Sequence, residues 1–267
     1  MELEIYQIDA FTSERFGGNP AAVVPLEDWP PDAVLQAIAA ENNLSETAYF
    51  CRSGDEFQLR WFTPVAEVDL CGHATLASAY VLFEKLHHAG EKIRFRCRSG
   101  PLQVTRNGEL LTLDFPEAVA EPVADEQMYE RVAAALGARP EELLAAPRDY
   151  LAVFPSAEKV RDLSPDGELL QNLELLGMIV TAPADAESGS CDFVSRFFAP
   201  AVGILEDPVT GSAHCTLVPY WAKRLKRDQL HARQISKRGG ELLCAYLPPR
   251  VSISGRAVCY LHGTITV

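Results

Sequence analysis

Six polar residues stand at the breaks between apolar segments of this chain: Asn19, Ser45, Glu46, His73, Asp207 and Ser212. Carboxylates, an imidazole and small hydrogen-bonding groups are the equipment of proton transfer. A carboxyl group works best in that role when its pKa lies near the operating pH, and partial burial raises a glutamate in that direction. Glu46, in a polar loop just before an apolar strand, can then act as base and acid in one cycle, or simply cap a turn. His73 follows Gly72 where a helix is expected to open, and there the helix dipole disfavours the imidazolium, so that a neutral ring is left to donate or accept. Asp207 before Pro208 either complements the start of a second helix, orients His73, or holds a substrate amine. Ser212 after Gly211 reads as a helix cap and, by its position, as a ligand contact. Asn19, with Gly18, borders the pocket or forms a turn between strands.

The segments that must position these residues occur twice. Arg60-Trp61-Phe62-Thr63-Pro64 leads to Gly72-His73-Ala74, and Arg196-Phe197-Phe198-Ala199-Pro200 leads to Gly211-Ser212-Ala213. In each copy a strand-like aromatic run ends at a proline, a loop with acidic residues follows, and a glycine opens an apolar helix. If the halves fold alike and face each other, two helix N-termini converge on one cleft, with unpaired N–H groups suited to a small anionic metabolite.

Around these signatures, Leu3 to Ala10 alternates as a strand with one buried face, and Ala21 to Val24 resumes a strand after Gly17-Gly18-Asn19-Pro20. A helix is expected from Pro30-Pro31-Asp32 to Glu41, stopping at Asn42-Asn43. Ala74 to Leu86 is apolar on nearly every side, the mark of a helix wrapped by a sheet. Its counterpart, Ala213 to Leu225, contains Pro219, which should kink it or end it early. The expected fold is α+β: two pseudo-symmetric domains, each a rolled, mostly antiparallel sheet around a central helix. The N-terminal domain covers 1–116, completed by 256–267, and the C-terminal domain covers 117–255. Tyr150, Phe154 and the turn at Gly177 are candidates for shaping the pocket.

A formal charge of −13 and a pI near 4.9 argue against a nucleic-acid partner. Lys223 to Arg227, the one basic cluster, reads as the last turn of a helix. An acidic N-terminus and the lack of an apolar run of spanning length point to the cytoplasm and away from a membrane. Seven cysteines without a C-x-x-C pair do not form a disulfide framework. Cys71-Gly72-His73 brings a Cys and a His close, but no second pair stands at a ligand spacing, so no metal is expected, and His87-His88 should face solvent. Phosphate-loop, dinucleotide and nucleophile-elbow motifs are absent.

Asn43 to Ala48, Phe62-Thr63-Pro64 with Leu70 to Thr75, Glu206 to Ala213, and the opening Asp9 to Thr12 with Gly17 to Pro20 resemble, in order and from end to end, the PhzF (phenazine biosynthesis-like) family. The resemblance implies a diaminopimelate epimerase-like fold and a homodimer. It also implies a cofactor-independent isomerase similar to that of trans-2,3-dihydro-3-hydroxyanthranilate. It makes Glu46 the acid/base, places His73, Asp207 and Ser212 in the site, and has Gly72 and Gly211 give backbone donors; Ser45 and Asn19 are further substrate-binding candidates from their own positions. A carboxylate-binding protein without catalysis and an amino-acid epimerase are the other readings. The epimerase would need opposed thiols, and Cys71 has no counterpart before Gly211; Cys71 is expected as a small wall residue.

Overall fold

A computed structural model describes residues 1–174 and 176–267. The chain divides into two compact units, 1–114 with 254–267, and 115–253.

The first unit opens with β1 (Glu2–Ala10) antiparallel to β2 (Asn19–Leu26). The second half of β1 is buried on both faces, Ile8 and Ala10 on one and Asp9 on the other, so the expectation of a single buried face fails there. Helix α1 (Asp32–Asn42) ends at Asn43, whose left-handed conformation (φ 49°) is one that asparagine tolerates. The helix carries the chain back to place β3 (Glu46–Ser53) parallel to β2. Antiparallel β4 (Glu56–Phe62) follows, flanked by the two-residue β5 (Glu67–Val68). Helix α2 (Gly72–Tyr80) then packs on β1, β2 and β3, with every residue from His73 to Ala79 buried, and continues as a π-helical turn over Val81–Lys85. It returns the chain to β6 (Lys92–Cys97), parallel to β4, and the antiparallel β7 (Gly100–Asn107) and β8 (Leu110–Pro116). His88 is not simply solvated, because its ring lies edge-on to Phe57 and Phe83.

The second unit repeats this order. After β9 (Glu121–Pro122) and α3 (Glu126–Leu136), β10 (Glu142–Ala145) runs antiparallel to β11 (Asp149–Val153). The short helices α4 (Ala157–Asp162) and α5 (Gly167–Gln171) stand where α1 stands in the first copy and place β12 (Gly177–Pro183) parallel to β11. Antiparallel β13 (Phe193–Ala199), the short β14 (Ile204–Asp207), helix α6 (Gly211–Leu225), and β15 (Gln229–Gln234) parallel to β13 match β4, β5, α2 and β6. Then come β16 (Gly240–Leu247) and β17 (Arg250–Gly255), and the last strand, β18 (Ala257–Thr266), pairs with β1.

Helix α6 runs through Pro219 without ending. Proline has no N–H for the carbonyl four residues back. That carbonyl, on Cys215, instead accepts the N–H of Ala118 at 3.0 Å, so the linker following β8 completes the helix's hydrogen bonding. Thr181 faces α6 and accepts from Trp221 Nε1, while Tyr150 and Phe154 lie in the core on the other side of the sheet with Met128, Val132 and Val160. They are packing residues of that layer and do not shape a pocket at α6.

Candidate active site

The duplicated signature is also a duplicated scaffold. Arg60 on β4 makes a two-pronged bond to Glu67 on β5 (2.8 and 2.9 Å), and Arg196 on β13 does the same to Glu206 on β14 (2.7 and 3.0 Å). Each guanidinium also covers the ring two residues on, Phe62 at 5.1 Å and Phe198 at 4.9 Å. These clamps tie down the strand from which the chain turns into α2 or α6.

At both helix starts the glycine is the first helical residue and the N-cap side chain makes no capping bond, Cys71 in α2 and Thr210 in α6. The carbonyl of each N-cap accepts a side chain from the residue four on: Thr75 Oγ1 at 2.5 Å in α2 and His214 Nδ1 at 2.8 Å in α6. Ser212 is therefore the second residue of its helix, equivalent to His73, and is not the cap that the sequence suggested. Small glycines and uncapped first turns present N–H donors and a partial positive charge to an anion.

In the first unit, His73 gathers the other polar groups. Asn19, from the start of β2 and fully buried, has Nδ2 3.2 Å from His73 Nδ1, and Cys71 Sγ lies 3.5 Å from the same nitrogen. An amide NH2 can only donate, so Nδ1 is the acceptor and the ring proton sits on Nε2. Nε2 stands 3.2 Å from Glu46 Oε2, in an approach too bent for strict hydrogen-bond geometry. Burial pushes His73 down to about 3, so the pair is a neutral imidazole against a carboxyl group. Glu46 is the first residue of β3 rather than a loop residue, with its side chain 13% exposed, and Ser45 precedes it at the bend. A strand fixes its direction better than a loop would.

Glu46, Cys71 and His73 each bring a donor atom within 4.8 Å of the others. Spacing along the chain hid this set because Glu46 comes from a different strand. The imidazole stands between thiol and carboxylate, with Cys71 Sγ near Nδ1 and Glu46 Oε2 near Nε2.

In the second unit, Asp207 ends β14 and is buried. Thr210 Oγ1 donates to its Oδ2 at 2.5 Å, and Gln234, fully buried on β15, pins the turn. Its Nε2 donates to Asp207 O at 2.8 Å and its Oε1 accepts from Thr210 N at 2.8 Å. Neither Thr210 nor Gln234 was legible as a site residue. Gln234 lies in an ordinary strand pattern, and only its complete burial gives it away. Gly211 and Ser212 follow directly on this pinned turn.

The α+β fold of two like units recurs in proteins of remote sequence. A probable proline racemase from Agrobacterium radiobacter shares the fold, with a TM-score of 0.63 over 99% of this chain and 92% of that one at 11% identity. The family model of the phenazine biosynthesis-like proteins (PhzC-PhzF) matches residues 8–263, and the chain belongs to that family. It is 50% identical, over 99% of both chains, to a Pseudomonas aeruginosa protein named as an uncharacterized isomerase. The crystal structure of a PhzF-family protein from Enterococcus faecalis superposes with a TM-score of 0.95 at 47% identity, covering all of both chains. By class the protein is an isomerase.

Proposed function

We propose that the protein is a cofactor-independent isomerase that moves a proton on a small carboxylate-bearing metabolite, with Glu46 as the acid/base. The observation that carries this reading is the neutral His73 Nε2 set 3.2 Å from Glu46 Oε2. A neutral donor can orient the carboxylate without holding it permanently ionised, as an imidazolium would, so the group stays free to take a proton from carbon and return it at another position. The first-turn N–H groups at Gly72 and Gly211, with Ser45, Asn19 and Ser212, bind the substrate's carboxylate and polar groups, and Asp207 holds a substrate amine or hydroxyl. The protein works in the cytoplasm, in a biosynthetic sequence, as a homodimer.

A two-thiol epimerase is the weaker reading. Thr210 occupies in α6 the place Cys71 has in α2, and the nearest thiol, Cys215, is buried with its pKa pushed up to about 12. Proton NMR in D2O with trans-2,3-dihydro-3-hydroxyanthranilate and a panel of amino and cyclic carboxylates tests the proposal. Isomerisation or deuterium uptake into one of them supports it. A panel member that raises the melting temperature without exchange would favour a binding protein.

A further inference from the structure

Each copy of the duplicated scaffold carries a carboxyl group at the same level of its sheet, but on different strands. In the first unit Glu46, the first residue of β3, is registered against Ala21 of β2; in the second unit the same place on β12 is Gly177, registered against Asp149 of β11. The carboxyl group has moved over by one strand. Gly177 makes room for it, because a Cβ there would stand 2.5 Å from Asp149 Oδ1 and would run into the ring of Phe197.

The exchange keeps the carboxyl group on the α6 face of the sheet. Gly177 lies four residues before Thr181 on one strand, so both point to the same side, and Thr181 accepts from Trp221 of α6. Thr181 is registered against Val153, and Glu142, the β10 partner of Val153, accepts from Tyr220. The ends of β11 and β12 therefore lie beside Tyr220 and Trp221, and their beginnings, Asp149 and Gly177, lie toward the start of the helix. Four strand residues span about 13 Å, the length of about nine helical residues, which sets Asp149 level with the first turns of α6. Cys215, in the second of those turns, feels its charge.

Asp149 is 5% exposed, and among the described residues its Oδ1 has no hydrogen-bond partner. Burial lifts the carboxyl above the ordinary aspartate range against the opposing pull of Arg148, and the titratable side chain it meets from α6, Cys215, is itself held as the thiol. From β12 and β13 it meets Gly177 and Phe197, which carry no charge. A carboxylate left unpartnered in such a place is costly, whereas a carboxylic acid there has a proton to donate.

We propose that Asp149 is a carboxylic-acid donor that makes an O–H···O hydrogen bond to the carboxylate of the substrate at the start of α6. The inference rests on the reading of that helix start as a carboxylate site. The uncapped first-turn N–H groups and the acid then act together, and both can only donate to an anion.

Calorimetric titration of wild type, Asp149→Asn and Asp149→Ala with trans-2,3-dihydro-3-hydroxyanthranilate and the panel of amino and cyclic carboxylates tests it. On a carboxylate that wild type binds, the Asn variant keeps a neutral donor in the same outline and should stay within a few-fold, while the Ala variant should bind about 10- to 100-fold more weakly. An Asn variant as weak as Ala would make Asp149 an ionised acceptor and overturn the assignment, as would a folded Ala variant that binds like wild type. Infrared difference spectra between wild type and Asp149→Asn decide even if the Ala variant fails to fold. They should show a protonated carboxyl band at neutral pH that moves when the carboxylate is added; a carboxylate band in its place, or a band that stays put on binding, would overturn the proposal. If no carboxylate of the panel binds wild type, the reading of the helix start fails first, and the assignment falls with it.

Discussion

His73 Nε2 and Glu46 Oε2 lie 3.2 Å apart, with the imidazole held neutral by burial and its other nitrogen occupied by Asn19 and Cys71. Such a histidine does not titrate in the physiological range. Nitrogen NMR should therefore show a neutral ring with the proton on Nε2 between pH 5 and 8, and a His73 ring that becomes cationic near pH 6.5 would contradict the assignment.

The same burial links stability to acid. His73 and His214 have folded pKa values of about 3 and about 4, below the ordinary 6.5, so the unfolded chain binds more protons between those values. Stability is then fully present above 6.5 and declines as pH falls toward the folded values, by up to about 1.4 kcal/mol per pH unit for each histidine. His214→Thr keeps a donor for the Thr210 carbonyl, as Thr75 does in α2. It should lower the melting temperature at pH 7 through lost packing yet flatten the decline between pH 6 and 4. Parallel melting curves in the two proteins check it.

Gln234 holds the turn from Asp207 to Thr210 from within the core. Gln234→Ala leaves a buried carbonyl and a buried N–H without partners and should cost about 2–4 kcal/mol in denaturant unfolding. Turnover should fall too, because Asp207 and the start of α6 lose their support. Loss of less than about 0.5 kcal/mol would show that water replaces the amide.

The two arginine clamps are alike in design but differ in burial. Arg196 is 13% exposed and also donates from Nη1 to the carbonyls of Val160 and Leu163, whereas Arg60 is 23% exposed and its third partner, Asp32, is in solvent. Arg196→Lys should destabilise by about 2–3 kcal/mol and Arg60→Lys by about 1, since lysine cannot make the fork and exposed pairs contribute little. Equal losses would contradict this ranking.

Ala118 lies outside any helix or strand, yet its N–H fills the place of the donor missing at Pro219. Its amide should exchange with solvent as slowly as those within α6. Exchange at the rate of the neighbouring linker amides would show that the Cys215 carbonyl finds its partner elsewhere.

Much of this was legible in the sequence because it depends on local pattern. The glycine-led, wholly apolar run after Cys71 marks α2, Asn43 marks the end of α1, and the repeated arginine-aromatic signature marks the duplication. What stayed hidden depends on residues far apart in the chain. Glu46 meets Cys71 only because β3 returns parallel to β2, and nothing near Gln234 tells of the turn it supports. That α6 continues past Pro219 stayed hidden for the same reason: the donor that replaces the missing N–H comes from Ala118, about a hundred residues earlier. Tyr150 and Phe154 point away from α6 because strand alternation sends them to the opposite face, which composition alone does not settle.

The central claim is that Glu46 carries the proton. On whichever panel compound wild type converts in D2O, Glu46→Gln should lose turnover and deuterium incorporation by about a hundredfold to ten-thousandfold. Glu46→Asp should retain part of both, and the ligand's Kd should stay within a few-fold of wild type in either variant. Deuterium uptake at the wild-type rate by a folded Glu46→Gln protein would contradict the account.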